Sequence, residues 1–106
     1  MQRVWRTVTG FYHVCARGVG KQLIFEGDED RWVFLELMRE CCREAGVTVI
    51  AWCLMGNHVH LVLADYEDAM SAAMHRLLLT YARRFNKRTG RTGHLFQNRF
   101  DRRSLD

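Results

Sequence analysis

Hydrophobic and polar positions along this chain alternate with period two in some stretches and recur every three to four residues in others. The order of those rhythms predicts six elements. Residues 10–16 are aromatic and β-branched, with Phe11, His13 and Cys15 on one face of a strand and Tyr12, Val14 and Ala16 on the other. Gly18 and Gly20 break it. Asp28 reads as a helix N-cap, with Glu29 and Asp30 in the electropositive first turn. From Arg31 to Ala45 the residues Phe34, Met38, Cys41 and Ala45, flanked by Leu35 and Cys42, keep helical spacing. Glu36, Glu40 and Glu44 form the opposite stripe, relieved by Arg39 and Arg43, and Gly46 ends the helix. Residues 47–54 are apolar enough to be buried on both faces, which predicts a central strand. Met55-Gly56-Asn57 is a short hairpin connection into a strand over residues 58–64, with Val59, Leu61 and Leu63 towards the core. Asp68 reads as the next N-cap, for a helix over about residues 69–87 with Met70, Ala73, Met74, Leu77, Tyr81 and Phe85 on its core face and Gly90 as its stop. Residues 93–103 alternate weakly, as a fourth strand or as an extended segment.

Strand, helix, strand, strand, helix, strand is the ferredoxin-like split βαβ order. It is an α+β class with an antiparallel four-stranded sheet, two helices on one face and the other face open. The 106 residues are read as one domain, 1–106, without repeats or a linker. No run is long and uncharged enough to span a membrane, and residues 1–6 lack the apolar core of a signal peptide. Cys15, Cys41, Cys42 and Cys53 show no paired metal spacing, so the expectation is a reducing cytoplasm and no disulfides.

Charge changes the picture. The net +4 hides a gradient, with residues 26–75 carrying three basic and ten acidic groups and residues 76–106 nine basic and two acidic. The acidic outer stripe of the first helix repels phosphate and marks it as scaffold. Tyr81, Phe85, Phe96 and Phe100 lie among the C-terminal arginines, the composition of a nucleic-acid surface as well as of a solvated face. The candidate cations are Arg17, Lys21, Arg76, Arg83, Arg84, Lys87, Arg88, Arg91, Arg99, Arg102 and Arg103.

The sharpest local signal is His58-Val59-His60. On a strand both rings point the same way, roughly 6.5–7 Å apart along the backbone, close enough to ligate one cation. The plain alternative is that one histidine caps the turn and the other is an ordinary polar strand residue. His13 reads as a surface or inter-strand residue.

Several runs together carry a resemblance: residues 11–18 (Phe-Tyr-His-Val-Cys-Ala-Arg-Gly), residues 53–61 with Met-Gly-Asn-His-Val-His-Leu, residues 81–88, and residues 93–100 with Gly-His-Leu-Phe-Gln-Asn-Arg-Phe. In that order they resemble the single-tyrosine HUH transposases, in particular the REP-associated tyrosine transposases and the small insertion-sequence transposases. The resemblance implies a ferredoxin-like fold that binds single-stranded DNA beside a hairpin. It implies His58 and His60 as ligands of a divalent metal, Mg²⁺ or Mn²⁺, held weakly without a third protein ligand, and a tyrosine that forms a 5′-phosphotyrosine link. It also leaves a homodimer open. In the family the nucleophile lies on a further helix in a Tyr-x-x-x-Asn/Gln pattern, expected here beyond Asp106, so the domain reads as C-terminally truncated. None of Tyr12, Tyr66 and Tyr81 is assigned as catalytic. Three functions stay open: a DNA strand transferase missing its nucleophile helix, a non-catalytic nucleic-acid-binding module, and a scaffold whose basic tail is merely solvated.

Overall fold

A computed structural model of the chain describes residues 10–105; residues 1–6, read above for a signal peptide, lie outside them. The elements are β1 (Phe11–Arg17), α1 (Asp28–Ala45), β2 (Thr48–Leu54), β3 (His58–Ala64), α2 (Met70–Thr89) and β4 (Asp101–Ser104), with one 3-10 turn at Val19–Lys21. The sheet is antiparallel throughout and ordered β2-β3-β1-β4. This is the split βαβ architecture that the alternation of rhythms predicts.

Period-two patterning decides the faces. Tyr12, Val14 and Ala16 of β1 and Val59, Leu61 and Leu63 of β3 are buried against the helices. They meet Phe34, Leu37, Met38, Cys41 and Cys42 of α1 and Met70, Met74, Leu77, Tyr81 and Phe85 of α2. Tyr81 sits at the centre of an aromatic cluster, with ring centroids 5.3 Å from Phe34, 5.6 Å from Phe25, 6.0 Å from Phe85 and 6.2 Å from Phe96. Among the described residues the opposite face of the sheet carries no helix.

Three expectations are corrected. β2 is an edge strand, not a central one, and Ile50 and Trp52 are about half exposed. A bulge between Val49 and Ala51 throws Ile50 out of register, and Val47, Val49 and Trp52 line a cleft with Trp32 and Leu35 of α1. Only part of the run reaches this cleft, and Ile50, Ala51 and Cys53 are exposed. Asp28 is the first helical residue rather than the N-cap, which is Gly27; Asp30 turns back to accept the Glu26 N–H at 2.7 Å. Asp68 does not cap α2 either. Its place is taken by buried Asp65, whose carboxylate accepts from the N–H groups of Ala69 (3.1 Å) and Met70 (2.9 Å). Gly46 and Gly90 close the two helices in left-handed geometry, as expected. The fourth strand forms later than the weak alternation suggested. Leu95 and Phe96 are buried, and Phe96 bridges to Gly18 ahead of β4. All four cysteines are free, and among the described residues no helix is long and apolar enough to cross a membrane.

Candidate metal and nucleic-acid site

β3 is an inner strand, so its open-face residues His58, His60 and Val62 are flanked on both sides. Across the sheet Arg17 stands opposite His58, Cys15 and Cys53 stand opposite His60 on β1 and β2, and His13 stands opposite Val62. On β4, Asp101 pairs with Cys15 and Arg103 with His13. Both histidines are half-buried, and their rings lie 4.8 Å apart centroid to centroid, at 85°.

The hairpin fixes the His58 ring. Asn57 Nδ2 donates to the Lys21 carbonyl (3.4 Å), an oxygen that can only accept, so Asn57 Oδ1 faces the imidazole. His58 Nδ1–H therefore donates to it at 2.7 Å, and the lone pair is left on Nε2. The Gly18 N–H donates to the Asn57 carbonyl at 2.9 Å and holds the hairpin against the end of β1. A Cβ at Gly18 would lie 2.3 Å from the Gln22 carbonyl oxygen, which is why this close approach requires glycine.

The His60 ring meets His13 on β1, with Nδ1 and Nε2 3.0 Å apart. Their planes differ by 17° with centroids 5.1 Å apart, so the rings meet edge to edge rather than one over the other. Partial burial, then the neighbouring His58, His13 and Arg17, lowers the His60 pKa below the ordinary imidazole value and favours the neutral, ligand-competent form. Burial instead raises the Cys15 thiol pKa, disfavouring a thiolate ligand there. Among the described residues no group of three or more His, Cys, Asp or Glu side chains converges to hold a metal ion. The donor set is therefore a two-imidazole platform that fits part of a coordination shell.

The eleven candidate cations divide by what they already hold. Arg17 pairs with Asp101 at 2.7 Å, Arg76 with Glu44 of α1, and Arg88 with Asp30 (2.7 Å) and Glu26 (3.3 Å). Arg91 donates to Asn86 and Gln22, tying the loop after α2 to the segment after β1. Arg102 lies over the Tyr12 ring at 5.5 Å and donates to Ser71. Arg83, Arg99 and Arg102 line a groove between α2 and residues 93–100, with Phe96 and Phe100 in its wall. Arg84 and Lys87 are exposed on the last turns of α2, Lys21 on the loop beside Asn57, and Arg103 on the open face beside His13. The sequence reading brings His58 and His60 together correctly but scatters its cations over both layers, and it leaves out His13 and Asn57. The signal for His13 was its shared face with Phe11 and Cys15; what was missing was the β1–β3 register.

None of the three tyrosines stands beside the histidines. Tyr12 and Tyr81 are buried, and the Tyr81 hydroxyl donates to the Ile24 carbonyl at 2.5 Å. Tyr66 follows the far end of β3 from His58.

Fold and site together define a split βαβ domain that displays a histidine pair on the open face of its sheet. The sequence model of the family described as "Transposase IS200 like" matches residues 7–106, and the chain belongs to that family. Its fold is similar to that of a REP-associated tyrosine transposase solved bound to a REP hairpin, with TM-score 0.72 and 13% identity over 100% of this chain and 61% of that one. It is also similar to a candidate transposase from Deinococcus radiodurans R1, with TM-score 0.70 and 18% identity over 100% of this chain and 86% of that one. A comparison with curated protein sequences finds no significant match. The chain thus spans about three fifths of the hairpin-bound transposase.

Proposed function

We propose that this domain binds single-stranded DNA beside a hairpin and holds a divalent cation, Mg²⁺ or Mn²⁺, on His58 and His60 for strand cleavage and rejoining. The observation that carries this reading is the histidine pair on the open face of an IS200-like transposase domain, with the His58 Nδ1 atom already committed to a protein partner. The hairpin-bound structural neighbour supports the choice of DNA. A bound cation supplies neutralisation of the charge that develops on the scissile phosphate. His58 and His60 would hold the cation as two of its ligands, and with oxygens of water or phosphate needed for the rest, binding would be weak in the absence of DNA.

Cleavage in this reading requires a tyrosine in the Tyr-x-x-x-Asn/Gln pattern that the family resemblance implies, attacking phosphorus; none of Tyr12, Tyr66 and Tyr81 lies in that pattern. The attacking oxygen forms the 5′-phosphotyrosine bond as the 3′-oxygen leaves to become a hydroxyl, and rejoining reverses both changes. The burial of Tyr12 and Tyr81 favours a second reading for the 106-residue chain alone, that of a DNA-binding module without cleavage.

The test uses a hairpin-flanked single strand. The chain binds it with an affinity that falls steeply with salt, by a slope of about −0.7 per phosphate contact on single strand. His58→Ala abolishes Mn²⁺ binding and leaves hairpin affinity unchanged. In a longer protein that carries the downstream tyrosine, the same substitution abolishes the covalent protein–DNA product. Adduct formation that survives His58→Ala overturns the metal role.

A further inference from the structure

We propose that His13, a residue outside the His-x-His pair, is the positioning residue for His60: it accepts the His60 Nδ1–H and so leaves the Nε2 lone pair free on the open face. The inference deepens the metal reading above and rests on it for its purpose, although its geometry stands without it.

The argument starts from valence. A neutral imidazole carries one proton, and a ring that ligates through Nε2 must carry that proton on Nδ1. His58 has this arrangement enforced by Asn57, whose amide is oriented by the Lys21 carbonyl. Among the described residues His60 has no carboxylate or amide at its Nδ1. It has the Nε2 of His13, 3.0 Å away and nearly coplanar, the geometry of an N–H···N hydrogen bond. For His60 Nδ1–H to donate, His13 must present a bare Nε2 and carry its own proton on Nδ1.

The contact is diagonal. Cys15, not His13, is paired with His60 in the ladder, and His13 reaches across from the next open-face position on β1. Both strands are inner strands whose other faces are fixed by buried Val14, Leu61 and Leu63, so the two backbones cannot slide past one another without disturbing the core. Histidines that bind metal ordinarily donate their second ring nitrogen to a carboxylate, carbonyl or water. Loss of such a partner typically costs 10–100-fold in metal affinity. Here another imidazole fills that role.

Three variants of the full chain test the assignment. Gln at position 13 places its amide oxygen close to where His13 Nε2 stood, Asn keeps the polarity but is too short, and Leu removes the acceptor. Two-bond nitrogen–proton NMR of the metal-free protein at mildly alkaline pH reads the tautomers directly. His60 is expected as Nδ1–H in the wild type and His13→Gln. In His13→Asn and His13→Leu it is expected to shift towards Nε2–H, the form a solvent-exposed histidine side chain prefers in water. His58 should stay Nδ1–H throughout, which also reports that the hairpin has folded. Mn²⁺ titrated alone is expected to bind about 10–100-fold more weakly to His13→Asn and His13→Leu, with His13→Gln close to wild type.

A wild-type His60 in the Nε2–H form, or an Nδ1–H form retained in both His13→Asn and His13→Leu, overturns the assignment. Equal loss of Mn²⁺ affinity in all three variants overturns it too. If even the wild type binds no Mn²⁺ while the tautomers follow the expected pattern, the metal reading fails and the positioning assignment stands.

Discussion

Tyr81→Phe separates chemistry from architecture. Tyr81 is 1% exposed, ringed by Phe25, Phe34, Phe85 and Phe96, and its hydroxyl donates to the carbonyl of Ile24, itself 0% exposed. Burial, reinforced by the carboxylates of Asp30 and Glu26, pushes the phenol well above its ordinary pKa, the opposite of what a nucleophile needs. The substitution keeps the ring and therefore the packing, so the cost is confined to one hydrogen bond. A typical bond contributes about 0.5–1.5 kcal/mol net, and a buried acceptor left without its donor raises the loss to about 1–3 kcal/mol. Taking about 2 kcal/mol and about 4 °C per kcal/mol for a domain of this size, Tm falls by about 8 °C. Thermal melts followed by circular dichroism measure this, and hairpin binding by the folded variant stays at the wild-type level. In a longer protein with its downstream tyrosine, covalent DNA attachment also survives below the new Tm. An unchanged Tm together with loss of the adduct would refute the reasoning, because Tyr81 would then be acting on DNA rather than on Ile24.

Two further predictions follow from the same geometry. Asp65→Ala removes the acceptor for two backbone N–H groups at the start of α2, at a cost of about 2 kcal/mol; a thermal or urea midpoint within error of the wild type would show that α2 is capped in some other way. Arg83→Gln and Arg99→Gln, in the groove beside α2, should each reduce the salt slope of hairpin binding by about 0.7 without changing Tm. Arg76→Gln, whose partner is Glu44, should leave the slope alone, and Arg88→Gln should lower Tm by releasing buried Asp30. The same loss of slope in all four variants would mean that the division by ion pairing is wrong.

The residues that could be read from sequence are those whose role is set by local period. Val59, Leu61 and Leu63 alternate with His58 and His60, so the face of each followed from parity alone. The helical stripe of α2 likewise put Tyr81 and Phe85 inside. β2 failed because apolar content does not by itself report coverage: Ile50, Ala51 and Cys53 are exposed on this edge strand, and Val47, Val49 and Trp52 are its apolar residues that reach the cleft with Trp32 and Leu35. At α1 the helix starts one residue early, with Gly27 as its cap and Asp28 already helical, and at α2 more than one nearby aspartate can reach the first free N–H groups. The chain chose Asp65, already buried at the end of β3, over Asp68 at φ 59°.

His13 lies beyond local period altogether. Its face was legible, but its partner depends on the register of two strands 47 residues apart, and a two-residue slip of that register would move the Nδ1 contact off His60 altogether. The register is pinned from the other face, where Val14 directly opposes Leu61 in the core. The polar pair on the open side therefore inherits its alignment from apolar packing on the hidden one. A core substitution at Val14 should loosen the His13–His60 contact without touching either ring, and broadened His60 ring resonances would be its signature.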